Sequence, residues 1–349
     1  MKSEILVGKD LEALTQIMKD LGEPPFRAKQ LLNWLYNKFE TDFSKMSNLG
    51  NALIEKLKEK CQLSALQQRD VVPSKDKETF KFLWQTHDGH KVESVLILSG
   101  KRRTVCLSTS IGCPARCSFC ASGKKGLIRH LDTEEIMAQL FLIDKFLHDK
   151  GERVSHVVFM GMGEPFENYD ATASSIRQIH DKDLFNISQR RITVSTVGVV
   201  EGIRHLMADG FGVNLVFSLH APNQKLREKL IPYAKKYPLP EILAALDDYS
   251  SKTGRDLTFE YTLLDGINDG DQEAAELASL LKKKQCTVNL IPYNPVPGLA
   301  FQRPSQERVF HFKRLCEKAG LVVTARYTKG DDVAAACGQL ALQEDNGDG

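Results

Sequence analysis

The chain has 349 residues, of which 42% are hydrophobic and 26% are charged, and its formal net charge is +2. These proportions are typical of globular proteins, and the longest apolar runs are too short for a membrane span, so a membrane protein is not expected. A charge so close to neutral also excludes a globally basic surface for nucleic acid. The length fits one large α/β domain with an appendage.

The amino terminus and the cysteines indicate the compartment. The first ten residues lack the apolar stretch and the small-residue cleavage site of a secretory signal, which favours the cytoplasm. The chain has eight cysteines, several of them grouped around one loop rather than evenly spaced. This grouping favours reduced thiols that ligate metal or react over a disulfide framework.

The first hundred residues divide into a helical part and an extended part. Apolar residues recur at helical spacing up to about residue 66, which predicts a small helical accessory domain over residues 1–66. Residues 79–86 and 91–98 are extended stretches joined at Asp88-Gly89, a dipeptide suited to a hairpin turn. They lie in a predicted connector of residues 67–103.

From about Thr104 onward, strands and amphipathic helices alternate strictly. Six βα units in a row imply a parallel sheet wound into an open barrel, shorter than a full eight-unit barrel. We therefore predict an α/β fold with a partial (βα)6 barrel over residues 104–330 and a carboxy-terminal segment of residues 331–349. The predicted strands lie near residues 104–109, 154–160, 191–196, 212–219, 256–263 and 287–292, with a last strand near 321–327.

Three cysteines follow the first barrel strand at the spacing CxxxCxxC: Cys113, Cys117 and Cys120. A [4Fe-4S] cluster or a structural zinc ion normally takes four protein ligands, so three thiolates leave one position open for a ligand that is not protein. Cys106, seven residues upstream, could complete a closed zinc site of four thiolates. Zinc sites usually have two paired arms, however, and no second arm is present.

Polar and glycine-rich segments follow the later barrel strands. Active sites of parallel barrels lie at the carboxyl ends of the strands, so these segments are expected to converge on one mouth. Taken singly, each is more often a turn, a cap or a buried structural residue. The segments contain Gly163 and Glu164, then Ser195, then Ser218, Leu219 and His220, then Asn294.

The cysteine spacing resembles the motif of the radical SAM superfamily, and the glycine-rich segment resembles that superfamily's motif after the second strand. The flanks of Cys106 and Cys337, with the Gly-Met-Gly-Glu-Pro and Ser-Leu-His-Ala-Pro segments, resemble the RlmN/Cfr family of RNA adenine methyltransferases from about residue 93 to residue 340. The resemblance implies one [4Fe-4S] cluster and S-adenosyl-L-methionine (SAM). It implies cluster ligation by Cys113, Cys117 and Cys120, and SAM binding by Gly163, Glu164, Ser195, Ser218, Leu219, His220 and Asn294.

The family resemblance also implies three catalytic residues. Cys337 would take a methyl group from one SAM, and a radical generated from a second SAM would activate that group for addition to the adenine ring. Glu93 would accept the ring proton, and Cys106 would release the product by forming a transient disulfide with Cys337. The expected reaction is methylation of C2 of an adenine in 23S rRNA, with tRNA as an open second substrate.

Two other functions stay open at this point. The Cfr branch methylates C8 of the same adenine and shares all five cysteines, and a non-catalytic metal-stabilised nucleic-acid-binding protein is the third reading. For the enzyme we expect a monomer with a reducing electron donor such as flavodoxin. RNA affinity must come from local basic clusters, none of which stands out: residues 101–103, 124–125 with Arg129, 190–191, 235–236 and 282–284.

Overall fold

The computed structural model describes residues 3–325 and 329–340. The end of the last predicted strand (residues 326–327) and residues 341–349 of the predicted carboxy-terminal segment lie outside these described residues. No helix in the described ranges is long and apolar enough to cross a membrane.

The amino-terminal part contains the helices predicted from its leucine spacing. They are bracketed by two short strands that pair in parallel. The elements are β1 (Glu4–Ile5), α1 (Leu11–Asp20), α2 (Phe26–Tyr36), α3 (Asn51–Lys60) and β2 (Cys61–Gln62). Asp10 begins α1 by accepting a hydrogen bond from the backbone N–H of Ala13 (2.8 Å), which satisfies a donor that the first turn leaves unpaired.

The other strands follow in chain order: β3 (Leu66–Pro73), β4 (Thr79–Thr86), β5 (Lys91–Ser99), β6 (Arg102–Leu107), β7 (Ser110–Gly112), β8 (Leu127–His130), β9 (His156–Phe159), β10 (Ile192–Thr196), β11 (Asn214–Ser218), β12 (Leu257–Leu263), β13 (Cys286–Pro292) and β14 (Val322–Ala325). Ten of them form one sheet in the order β14-β13-β12-β11-β10-β9-β6-β5-β4-β3. Neighbours from β6 to β14 are parallel, as the alternating pattern predicted, whereas β5, β4 and β3 continue the sheet in antiparallel fashion.

The helices of the barrel connect its parallel strands. They are α4 (Thr133–His148), α5 (Tyr169–His180), α6 (Val200–Ala208), α7 (Gln224–Leu230), α8 (Leu239–Thr253), α9 (Asp271–Leu281) and α10 (Gln306–Lys318). Asp132 and Glu135 form a capping box at the start of α4, and Ser305 caps α10. These caps fix where each helix begins.

The sheet brings the predicted residues to one edge. Because the barrel strands are parallel, their carboxyl ends lie side by side. Strand β5 is antiparallel to β6, so its first residues lie at this same edge. The register places Val95 of β5 opposite Cys106 of β6. Glu93, two residues before Val95, therefore lies beside the end of β6.

Candidate active site

The three clustered cysteines lie on a loop whose two ends are held together. Strands β7 and β8 pair across its base, and the backbone N–H of Cys113 donates to the carbonyl oxygen of Gly126 (3.1 Å). Gly112 has a φ of +76°, and a Cβ atom there would collide with that same carbonyl. Only glycine therefore allows this closure.

The three thiols influence one another and are largely shielded from water. Burial raises the pKa of Cys113 to about 12, and it raises the pKa of Cys117 and Cys120 above their ordinary value. The charge of Cys120 raises the pKa of Cys113 further, and both raise that of Cys117, so the three sulfurs lie close together. Thiolates in such a place need a cation, and soft sulfur ligands select iron–sulfur clusters or zinc.

Within residues 3–325 and 329–340, no three His, Cys, Asp or Glu side chains are grouped tightly enough to hold a single metal ion. In an iron–sulfur cluster, by contrast, each thiolate binds a different iron.

The glycine-rich segment packs against the link between β6 and β7. A side chain at Gly161 would strike Ser108, and one at Gly163 (φ +113°) would strike Thr109 and Ser110. Glycine is needed here so that two loops can touch. The carboxylate of Glu164 is 2% exposed and accepts backbone hydrogen bonds from Phe166 (3.0 Å) and Val197 (2.8 Å).

Burial raises the pKa of Glu164 to about 7, against the lowering effect of these hydrogen bonds. Through its hydrogen bonds to Phe166 and Val197, the carboxylate joins the glycine-rich segment to the loop after β10. Each oxygen of this carboxylate accepts one backbone hydrogen bond and keeps further acceptor capacity. SAM binding by Glu164 stays a prediction.

The serines after β10 and β11 form a pair, with Ser195 Oγ and Ser218 Oγ 3.1 Å apart. Leu219 is fully buried. The Nδ1 atom of His220 accepts a hydrogen bond from the backbone N–H of Thr262 (2.9 Å), and burial lowers the pKa of His220 to about 3. The imidazole is therefore neutral, and its ring packs edge-on against Phe119 of the cysteine loop.

The segment that carries Cys337 is fastened to the cysteine loop through its backbone. The side-chain amide of Asn294 donates to the carbonyl oxygen of Cys337 (3.0 Å), and the N–H of Ala121 donates to that of Gly338 (2.8 Å). Arg303 holds Asn294 in place through its Oδ1 atom (2.9 Å). The thiol of Cys337 itself is exposed.

A cavity of about 550 Å³ connects the predicted reactive thiols. Cys106, Cys337, Cys120 and Asn294 all line it, so the structure brings the two reactive cysteines together with a residue of the cysteine loop. No disulfide joins Cys106 to Cys337 or to any of the other six cysteines, all of which are among the described residues. The predicted disulfide is thus not formed in this structure.

Glu93 lies on β5 among buried side chains, 2% exposed. Its partner is Lys81 of β4, which is also buried, with Lys81 Nζ 3.2 Å from Glu93 Oε1. The register pairs Leu83 with Glu93 and Lys81 with Val95, so the two charges lie diagonally on one face of the sheet. Sequence analysis missed Lys81, because nothing in its neighbourhood indicates which strand it faces.

Sequence analysis also missed Arg227 on α7, a fully buried arginine. Its guanidinium donates to the carbonyl oxygens of Val197 (2.6 Å), Leu219 (3.2 Å) and Ser218 (3.3 Å), which joins the ends of β10 and β11. Burial lowers its pKa to about 10, and the charges of Cys117 and Glu164 oppose that lowering. Arg227 therefore stays cationic and lies within electrostatic reach of the cysteine loop.

An open parallel barrel with a three-cysteine loop after its first strand is the arrangement of a radical SAM enzyme. Comparison with known families supports this class: residues 107–278 match the family described as "Radical SAM superfamily". Residues 5–63 match a second family, described as "Ribosomal RNA large subunit methyltransferase N-terminal domain".

Full-length relatives place the chain more narrowly. It is 57% identical to the "Probable dual-specificity RNA methyltransferase RlmN 2" of Protochlamydia amoebophila, over 97% of this chain and 94% of that protein. The "Probable dual-specificity RNA methyltransferase RlmN" of Symbiobacterium thermophilum is 45% identical over 96% of this chain and 90% of its own length. A crystal structure of a radical SAM methyltransferase from Sphaerobacter thermophilus superposes with a TM-score of 0.94 at 42% identity, covering 96% of this chain and 98% of the other. The chain belongs to the RlmN family.

Members of the radical SAM class carry a [4Fe-4S] cluster and use SAM. The residues of this chain fit the cluster. Three shielded thiols would supply the soft ligands that a cluster requires, and they would leave one iron without a protein ligand. The buried cation of Arg227 offsets the negative charge of the thiolates, since its charge interacts with that of Cys117.

Removing the charge of Arg227 is expected to lower the reduction potential of the cluster. A positive charge nearby favours the more negative, reduced state of the cluster. Arg227→Met should therefore lower the reduction potential by roughly 60 mV or more, which for a one-electron couple is a tenfold change in the equilibrium constant of reduction. Arg227→Lys is the matched control, because it keeps the charge but loses the planar fork. Spectroelectrochemical titration of both holoenzymes measures the shift, and equal potentials in the wild type and Arg227→Met would refute this role.

Proposed function

We propose that the chain methylates C2 of an adenine in 23S rRNA, and an adenine in tRNA, through a methyl group carried on Cys337. The observation that carries this proposal is the cavity in which Cys337 and Cys106 meet beside Cys120 of the cysteine loop. The relatives, named dual-specificity RNA methyltransferases, support two RNA substrates.

The target carbon explains why two extra thiols are needed. C2 of adenine is electron-poor and lacks a nucleophilic lone pair, so it does not attack a sulfonium methyl group directly. When bound, the cluster and SAM supply a methyl group and a hydrogen-abstracting radical. Cys337 serves as the nucleophile that holds the methyl group next to the base. Its exposed thiol on a backbone-anchored segment suits this role.

Glu93 and Cys106 complete the reaction on the adduct between Cys337 and the base. Glu93 accepts the proton from C2, and the ammonium of Lys81 lies 3.2 Å from its carboxylate. The adduct radical must also lose one electron, which the oxidised cluster would accept. Cys106 then attacks the sulfur of Cys337 as a thiolate, which breaks the sulfur–carbon bond and leaves a disulfide between the two cysteines. The released carbon takes up a proton to complete the methyl group, and an external reductant must open the disulfide before the next turnover. Both cysteines line the same cavity, as this exchange requires.

The two competing functions are C8 methylation of the same adenine and a non-catalytic, metal-stabilised nucleic-acid-binding protein. C8 methylation uses the same five cysteines, and the relatives' RlmN names favour C2 instead. A non-catalytic metal-stabilised protein loses its support, because the chain belongs to a family of enzymes.

Radical SAM enzymes need an external reductant. We propose a donor such as flavodoxin and a monomeric enzyme that meets its RNA substrates in the cytoplasm.

The test is anaerobic reconstitution of the holoenzyme with labelled SAM and either a protein-free 23S rRNA fragment or tRNA. Nucleosides from the digested RNA are then separated and identified by mass spectrometry. The proposal predicts labelled 2-methyladenosine from both RNAs. 8-Methyladenosine as the sole product would favour C8 methylation instead. If SAM is consumed but the RNA stays unmodified, methyl transfer to RNA is contradicted.

A further inference from the structure

The cavity that holds the two reactive thiols extends along the sheet to a group of arginines. Arg102, the first residue of β6, lines it together with Cys106, four residues further along the same strand. At the usual rise of a strand these two positions are roughly 13 Å apart. Arg190 and Arg191, which directly precede β10, line the same end of the cavity. We call Arg102, Arg190 and Arg191 the basic rim.

The rim unites two sequence clusters that lie about ninety residues apart. Strand β9 lies between β6 and β10, and its first residue, His156, lines the cavity too. Burial lowers the pKa of His156, and the charges of Arg102 and Arg191 lower it further, so both guanidinium groups lie close to this ring. The amino ends of three adjacent strands thus present one concentrated positive charge.

This charge has no local counter-ion in the described part of the chain. Among those residues, neither a salt bridge nor a side-chain hydrogen bond joins the rim guanidinium groups to a carboxylate, and the cavity lining contains no Asp or Glu. In each of the other basic clusters, one residue pairs with a carboxylate: Arg129 with Asp88 and Glu135, Lys236 with Glu167, and Lys284 with Asp247. Arg103, next to Arg102, pairs with Glu152.

We propose that the basic rim binds backbone phosphates of the RNA strand on either side of the target adenine, while the base itself enters the cavity toward Cys106 and Cys337. The inference rests on the proposed function. Enzymes that modify a base must take it out of its stack, and the phosphates next to it then lie at the opening through which the base enters. Exposed guanidinium groups without internal partners suit phosphate, which they bind as planar forks.

An acidic electron-donor protein is the other partner that a cationic surface attracts. The position of the rim favours RNA. It lies at the amino ends of the strands, whereas the cysteine loop follows the carboxyl end of β6, and its cavity leads to the thiols that react with the base. A donor, in contrast, must approach the cysteine loop.

The test compares the double variant Arg190→Gln/Arg191→Gln with Lys282→Gln/Lys283→Gln, which removes two adjacent exposed lysines from another surface. Binding of a protein-free 23S rRNA fragment to each reconstituted holoenzyme is measured by fluorescence anisotropy over a range of salt concentrations. Losing two phosphate contacts should reduce the slope of log K against log salt by about 1.4 and weaken binding roughly tenfold at low salt. The lysine control should keep the wild-type slope.

Iron content and melting temperature verify that each variant folds, and Arg102→Gln provides an independent variant on a different strand. An unchanged slope in all rim variants, with a wild type that binds and methylates the fragment, would overturn the inference and leave the proposed function standing. Slower cluster reduction by a donor protein with unchanged RNA binding would also overturn it. A wild type that neither binds nor methylates RNA would instead defeat the proposed function.

Discussion

Cys337→Ala is expected to abolish RNA methylation, to below about a thousandth of wild-type turnover. Its thiol is the proposed carrier of the methyl group, whereas its backbone carbonyl makes the contact with Asn294 that anchors the segment. Alanine preserves that backbone contact, so the segment should stay in place. The iron–sulfur absorbance and the reductive cleavage of SAM should therefore persist in the variant.

Turnover is measured with methyl-labelled SAM, and tryptic peptides of the wild type are searched for S-methylcysteine. Cys286→Ala is the matched control, since Cys286 is a half-buried free thiol at the beginning of β13, away from the cavity lining. The control should methylate normally. Normal methylation by Cys337→Ala, or a labelled cysteine other than Cys337 in the wild type, would refute the assigned role.

Cys106→Ala is expected to stop the reaction after RNA has become attached to Cys337. Without the thiol that attacks the bridging sulfur, the adduct has no route to release, so a stable protein–RNA cross-link should accumulate. Denaturing gel electrophoresis with labelled RNA detects the cross-linked species. The double variant Cys106→Ala/Cys337→Ala serves as the control and should form none, because it lacks the point of attachment.

The same step should depend on pH in the wild type. Burial raises the pKa of the Cys106 thiol above its ordinary value, and the nearby Cys337 adds to that effect. The reactive thiolate is then a minor species at neutral pH, and its fraction rises about tenfold per pH unit below the pKa. Release in single-turnover experiments should thus accelerate as pH increases. A fully active Cys106→Ala enzyme without cross-link would contradict the assignment.

The sequence predicted the barrel strands well because each is a short apolar run set between an amphipathic helix and a turn. Parallel strands are buried on both faces, so their pattern is almost independent of their neighbours. The short strands β7 and β8 were not predicted. They exist because the cysteine loop is closed at Gly112 and Gly126, a contact that composition does not reveal.

The partners of the site residues were harder to predict, because they depend on how distant segments meet. Arg227 stands in the run Leu-Arg-Glu-Lys, where its neighbours are also charged and nothing distinguishes the one buried cation. Lys81 faces Glu93 only through the register of β4 against β5. The basic rim likewise requires Arg102, Arg190 and Arg191 to line the same cavity, which the alternation of strands and helices does not fix.

Mössbauer spectroscopy of holoenzyme enriched in ⁵⁷Fe, with and without SAM, most directly tests the claim that one iron of the cluster has no ligand from the polypeptide. We predict that adding SAM changes the signal of a single iron and leaves the three held by Cys113, Cys117 and Cys120 unchanged. A spectrum that SAM does not alter, from four irons with equivalent sulfur coordination, would contradict the account.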